Sequence, residues 1–434
     1  MATQFSVNNG KPWKATFFTI WGGQALSILG SQLVQFALIW HLTVTTGSAT
    51  VLATASLVGM LPGVILGPLV GTLVDRWNRR QIMLLADSLI ALATLGLAIL
   101  FALDAVLIWH IYAVMFIRSL AGGFHGNAMT ASTSLMVPVE QLTRIQGINQ
   151  ILNGGLNVVA APLGALLLEV LPLQGILAID IVTALLAILP LCFIQIPQPE
   201  RLERRATQAQ GETEATVWQD FQAGCRYMLG WPGLLIIGLM TVGINFTIIP
   251  AFSLLPLLVK DYFGGSAIQL GWIESAMGVG IIGGGALLGV WGGFERKILT
   301  SMLGLIGLGA GTLILALAPA WALPLAIGGA LLVGVMNSLT MGPFLAVIQS
   351  TVEPDMQARI FSLMSSIGGG MAPIGLMIAG PVADRVGLQT WFWLGGTLCV
   401  VMGVAGLFIP AVMNIEAKRS VRFDQLNPDS GQAA

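Results

Sequence analysis

The stretch Gly63–Arg80, GVILGPLVGTLVDRWNRR, decides how the rest of the chain is read. It closes an apolar run that begins at about Val51, long enough to lie in a membrane. An acid, Asp75, and three arginines, Arg76, Arg79 and Arg80, end it. Gly63, Gly67 and Gly71 recur every four residues and so share one helix face. In lipid, such a face lets a neighbouring backbone approach closely. Arginines at the exit of a span mark the cytoplasmic side.

Composition agrees. Of 434 residues, 56% are hydrophobic and 9% charged, and mean hydropathy is +0.85. A soluble domain carries about a quarter charged residues, so this is a polytopic membrane protein. The net charge of −1 says nothing about a nucleic-acid or acidic partner, and no nucleic acid is expected. The three cysteines, Cys192, Cys225 and Cys399, form neither a disulfide framework nor a metal pattern. The apolar stretch after Lys14 is too long for a cleaved leader and reads as the first span.

Twelve segments are long and apolar enough to cross a bilayer, with limits near 15–43, 51–75, 81–103, 106–130, 146–170, 173–195, 233–259, 268–292, 297–317, 321–349, 359–383 and 389–412. With the N-terminus inside, every Lys and Arg except Lys260, Arg385 and the intramembrane Arg118 falls on the cytoplasmic side. The chain thus divides into a six-span bundle over 1–195, a cytoplasmic linker over 196–230, a second bundle over 231–414 and a cytoplasmic tail over 415–434. Two halves of six spans suggest an internal repeat. Gly285, Gly289 and Gly293 weakly echo the glycines of the second span. Val217–Leu229 is amphipathic. It reads either as a helix along the membrane surface or as a tether leading into span seven.

Gly71-Thr-Leu-Val-Asp75-Arg76-Trp-Asn78-Arg79-Arg80 resembles the loop signature Gly-x-x-x-Asp-Arg-x-Gly-Arg-Arg of the major facilitator superfamily. Asn78 replaces the last Gly, a substitution compatible with a positive-φ turn. Arg118-Ser-Leu-Ala-Gly122 is similar to the Arg-x-x-x-Gly pattern of that family's fourth helix. Ala160–Gly164 is similar to its Gly-Pro-x-x-Gly antiporter motif, with Ala161 in place of the first Gly. Phe18–Ser31, Thr46–Leu52, Phe116–Ala128, Val137–Arg144, Ala358–Leu363 and Gly380–Gly387 resemble the macrolide-efflux branch of the drug:proton antiporters. The resemblance implies a twelve-helix exporter of bulky lipophilic compounds, driven by protons, with Arg118 near the proton or substrate path.

The residues give their own reading beside it. No Gly-x-x-x-x-Gly-Lys-Ser/Thr sequence is present to hold ATP. His41, His110 and His125 lack metal-ligand spacing, and no cofactor is called for. An ion-driven transporter needs a few titratable groups inside its spans. Arg118 lies mid-span, where it serves the pathway or clamps backbone carbonyls between helices. Glu274 is a proton carrier, a counter-charge for a cationic compound, or an acid reaching for the outer interface. Asp180 carries a proton or joins two helices by a hydrogen bond. Asp87 is close enough in sequence to Arg76, Arg79 and Arg80 to join a cytoplasmic charge network.

Gly71, Asp75, Arg76, Arg79, Arg80 and Asp87 read as a cytoplasmic gate, with Gly375, Ala379 and Ala383 of span eleven as a facing small-residue surface. Gln24, Ser27, Ser31 and Gln35 fall on one face of span one. With Asn149, Asn153, Asn157, Asn245 and Phe246 they read as the lining of a wet cavity. Phe36, Trp40, Phe252, Trp272 and Met341 are candidate apolar walls.

The expectation is an all-α membrane protein with twelve transmembrane helices, a major facilitator fold of two six-helix bundles. It is expected to work as a monomer in the cytoplasmic membrane, with both termini inside, moving a small lipophilic substrate against protons by alternating access. Export of an endogenous metabolite such as a siderophore shares the same mechanics. A membrane scaffold, or an accessory subunit of an ATP-driven pump, is the reading from another class. Intramembrane Arg118, Glu274 and Asp180 argue against it, since a scaffold has no need of charge at depth.

Overall fold

The computed structural model of the chain describes residues 13–194, 196 and 217–416; within these, the side chains of 68, 69, 72, 75, 76, 217–221, 223, 354, 355 and 358 are not described. The described residues are almost wholly helical, as a bilayer requires of a spanning chain that must bond its own backbone. The first helices are α1 (Trp13–Thr46), α2 (Ala49–Arg76), α3 (Arg79–Ala102), α4 (Ile108–Met136), α5 (Val139–Val170) and α6 (Leu173–Phe193). After them come α7 (Val217–Leu229), α8 (Pro232–Ser253), α9 (Ala267–Trp291), α10 (Lys297–Leu317), α11 (Leu323–Thr351), α12 (Pro354–Val386) and α13 (Gln389–Phe408).

Among the described residues, 11 helices are long and apolar enough to cross a membrane. The twelfth candidate, α4, has the length, 29 residues. It also carries Arg118, His125, Asn127 and several hydroxyls, which lower its hydropathy. The chain divides into two compact units. One runs through α1–α6 and takes in residues 265–272; the other holds α7, α8, the remainder of α9 and α10–α13.

Several boundaries differ from the sequence reading for physical reasons. Helix α5 starts directly after Pro138 rather than near 146. Apolar content locates a bilayer, but a polar helix can continue beyond it; at about 1.5 Å per residue, α5 is far longer than a bilayer core of roughly 30 Å. The seventh span is not one helix to 259. It ends at Ser253, where Pro256 follows, and a short turn at Leu255–Leu257 leads into a π-helical turn at Leu258–Tyr262.

Val217–Leu229 is a separate helix, parted from α8 by Gly230 and Trp231. Its Cys225, Tyr227 and Met228 join the core that Trp231, Leu234, Ile237, Ile360 and Leu363 build, so it packs on its own unit. Asn78 is not at positive φ (−70°); its side chain caps α3 by accepting from the Gln81 N–H at 3.2 Å. The glycine echo in the second half is also partial. Gly293 lies beyond the helix, with Gly292, in a turn at φ near +77° and +75°.

Candidate functional site

The site begins with a helix crossing that only glycine permits. A Cβ on Gly30 of α1 would lie 3.2 Å from the Asp180 Cα, and one on Gly23 would lie 3.2 Å from the Ala187 Cα. Seven residues apart, these glycines sit on one face two turns from each other. They bring α6 against α1, and Asp180 enters the interior with no exposure at all.

A fully buried carboxylate must find partners. Asp180 forms an ion pair with Arg118 of α4. It accepts from Thr94 Oγ1 of α3 at 3.1 Å and from Ser31 Oγ of α1 at 3.2 Å. Arg118 also donates to Thr94 Oγ1 at 2.5 Å and to the Ser31 carbonyl at 3.3 Å. Four helices therefore converge on one charge pair. Arg118 clamps a backbone carbonyl and neutralises an acid.

A second polar layer lies two turns away on the same faces. Gln24 is seven residues from Ser31, Asp87 seven from Thr94 and His125 seven from Arg118. That spacing is about 10.5 Å along a helix. Gln24 Nε2 donates to Asp87 Oδ2 at 3.0 Å, and His125 Nε2 lies 3.6 Å from Asp87 Oδ1. Asp87 is 3% exposed and meets Gln24 and His125 in the bundle interior. The sequence reading missed Thr94 and His125. The signal was present as two-turn spacing from Asp87 and Arg118, but the histidines had been weighed only as metal ligands.

The arginines of the α2–α3 turn also hold unit-one partners. Arg80 donates from Nε to the Leu191 carbonyl at 2.5 Å and from Nη2 to the Cys192 carbonyl at 2.6 Å, satisfying the C-terminal end of α6. Arg79 donates to the Ala131 carbonyl of α4 at 2.7 Å. The side chains of Asp75 and Arg76 lie outside the described residues. A Cβ on Gly63, Gly67 or Gly71 would meet nothing within 4 Å among the described residues. In the second unit, a Cβ on Gly375 would press on the Phe246 carbonyl and the Pro250 ring. The Gly375 position of the small-residue stripe of α12 is thus packed against α8.

The expected cavity residues separate into two sets. Gln24 and Ser31 serve the two layers just described. Gln35, Asn153 and Asn157 are exposed and make no part of either. Asn149 accepts from Trp21 Nε1 at 2.7 Å. Phe36 is buried against Gly164, where a Cβ would sit 3.0 Å from its ring, so the α5 glycine motif packs on α1. Asn245 turns back on its own helix, donating to the Thr241 carbonyl at 2.9 Å, and Phe246 leans on Trp391. Glu274 on α9 is half-buried and has no polar partner among the described residues. Those residues include no cluster of three or more His, Cys, Asp or Glu able to hold a metal.

Comparison with known proteins places this geometry. A model of the Major Facilitator Superfamily matches residues 20–374 and again 234–426. Macrolide efflux protein A of Streptococcus pyogenes is 34% identical over 406 residues, covering 94% of this chain and 98% of that protein. Macrolide efflux protein A of Enterococcus faecalis is 33% identical over 330 residues, covering 76% of this chain and 100% of that one. Among solved structures, a bacterial homologue of the iron transporter ferroportin, in an inward-facing state, superposes with a TM-score of 0.69. It is 16% identical and covers 94% of this chain and 100% of that one, a likeness of fold alone. With the family model spanning nearly the whole chain and full-length relatives above 30% identity, this multi-pass membrane protein belongs to the Major Facilitator Superfamily of transporters.

Proposed function

We propose that the protein exports lipophilic drugs of the macrolide class across the cell membrane in exchange for protons, by alternating access. The observation that carries the substrate class is the 34% identity, over 94% of the chain, to a macrolide efflux protein. Both termini are placed in the cytoplasm on the distribution of Lys and Arg.

Buried charge supports the proton coupling. Arg118 and Asp180 are a neutral pair while the carboxylate is ionised. A proton on Asp180 leaves the guanidinium, which is always charged, without a counter-ion in a low-dielectric interior. The two protonation states therefore favour different packings of α1, α3, α4 and α6, as an ion-driven switch requires. Glu274, a carboxylate with no polar partner among the described residues, is the group we assign to a cationic amine on the substrate. Gly71, Asp75, Arg76, Arg79, Arg80 and Asp87 remain our assignment for the cytoplasmic gate, with Arg79 and Arg80 anchoring it to α4 and α6.

Labelled erythromycin in inverted membrane vesicles tests the proposal. Under an imposed pH gradient, vesicles containing the protein accumulate the macrolide, and an uncoupler abolishes the accumulation while ATP depletion does not. Equal accumulation with and without the protein would overturn the drug assignment. Accumulation that persists with the uncoupler and fails without ATP would overturn the proton coupling.

A further inference from the structure

The two polar layers of the first unit differ in what neutralises their acid. Asp180 has a permanent cation, Arg118, in contact with it. Asp87 has none. Apart from Gln24, its partner is His125, which is cationic only when it holds a proton. Among the described residues, the helices packed on α3 supply no other fixed positive charge to it. Helix α1 brings neutral Gln24 and Ser27; α6 brings Asp180, itself an anion; and Arg118 of α4 is engaged two turns away. The charged side chains of α2, Asp75 and Arg76, are not described. The layer also has unspent hydrogen-bonding capacity. Gln24 Oε1 and His125 Nε2 are buried and have no hydrogen-bond partner among the described residues.

A carboxylate buried at 3% exposure with one neutral donor is costly unless its charge is cancelled. One proton held by the Asp87 carboxyl, beside a neutral imidazole, cancels it. The layer is neutral with that proton and anionic without it. The same three helices then present Ser27, Ala91 and Ala121 one turn along, all buried and small, so no large apolar side chain on these faces separates the layers.

We infer that Asp87 and His125 form a second proton-binding station inside the first unit, distinct from Arg118–Asp180 and two helical turns nearer to Arg79 and Arg80. It binds one proton from water and returns it to water, with no other reactant. This inference rests on the proton-coupled reading above and deepens it. The transporter holds two carboxylate stations in series, one with a fixed counter-charge and one whose counter-charge is the transported proton itself.

The test reads proton binding apart from transport. Purified full-length protein in lipid is taken through a pH titration by infrared difference spectroscopy, following the C=O band of a protonated carboxyl group. In the wild type a carboxyl band titrates; Asp87→Asn removes it, and His125→Gln moves its midpoint by at least about one pH unit, a tenfold change in proton affinity. The double variant Asp87→Asn/His125→Gln removes acid and base together, leaves no unpaired buried charge, and also lacks the band. A band unchanged in Asp87→Asn, or unchanged in midpoint in His125→Gln, overturns the inference. Erythromycin accumulation under a pH gradient is measured on the same preparations. A titrating Asp87 band in wild-type protein that accumulates no erythromycin would remove the proposed function and leave the station standing.

Discussion

Replacing one partner of the buried ion pair should harm the protein far more than replacing both. Asp180→Leu leaves the Arg118 guanidinium, whose side chain is 8% exposed, without a counter-charge, and leaves Ser31 and Thr94 without their acceptor. Breaking a buried pair from one side costs about 3–5 kcal/mol. Both side chains are buried, so no discount for solvent screening applies. Arg118→Met strands the carboxylate and should cost about the same. In Asp180→Leu/Arg118→Met no charge remains. The residual loss is the hydrogen bonding of two hydroxyls, about 1 kcal/mol each, partly offset by apolar packing.

For a unit of this size, about 2–4 °C of Tm accompanies each kcal/mol. Each single variant should therefore unfold roughly 6–20 °C below wild type, with the double variant within a few degrees of it. Tryptophan fluorescence suits the measurement. The chain has 12 Trp, and its Cys192, Cys225 and Cys399 would react with thiol dyes. Unfolding in detergent is commonly irreversible, so all four proteins are compared at one scan rate. A double variant whose loss equals the sum of the singles would refute the reasoning, because independent sites add and coupled ones do not.

Three further outcomes follow from the same geometry. Gly30→Leu forces α1 from α6 at Asp180 and should cost about 1–3 kcal/mol together with erythromycin efflux, whereas Gly22→Leu, which meets open space, should leave both near wild type; equal effects of the two would discredit the crossing. Arg80→Ala frees the Leu191 and Cys192 carbonyls and should raise hydrogen exchange at the end of α6, with Arg80→Lys intermediate, since an ammonium cannot span both acceptors as a planar fork does; protection unchanged in the Ala variant would remove the clamp. Glu274→Gln should abolish proton-driven erythromycin efflux and leave Tm unchanged, because the carboxylate holds no polar partner among the described residues; wild-type efflux in this variant would take Glu274 out of the mechanism.

The spans were legible because lipid imposes length and hydropathy on each helix separately, a one-dimensional property. The intramembrane charges Arg118, Asp180 and Glu274 were legible for the same reason, as costly departures from it. Pairing was not, since it depends on which helix faces meet. Asp87 shows the difference. Its nearness in sequence to Arg79 and Arg80 was visible, but its contacts with Gln24 of α1 and His125 of α4 were not. Asn78 replaces a glycine and yet supplies a helix cap, because a β-region φ suits the Ncap position and its amide oxygen reaches the Gln81 N–H. Gly30 and Gly23 were invisible as determinants because their importance lies in an absent side chain opposite α6.

The two units hold their helices together by different means. In the second unit the buried polar residues are hydroxyls that mostly bond their own helix: Thr247 to the Gly243 carbonyl, Thr312 to Leu308 and Thr340 to Met336. Its helices meet through backbone. A Cβ on Gly309 of α10 would lie 2.6 Å from the Gly396 carbonyl of α13, and one on Gly304 would lie 2.7 Å from the Thr340 N–H nitrogen of α11. Contacts of this kind depend on shape and are indifferent to pH. In the first unit, α1, α3, α4 and α6 are joined by the ionisable side chains Asp87, Asp180, Arg118 and His125. Charge pairs between helices are thus a feature of the first unit's buried core, and close backbone contact a feature of the second's, among the described residues. Among the described residues of the second unit, Glu274 is a half-buried acid on an apolar helix with no polar partner, which is why its replacement is expected to spare the packing around it.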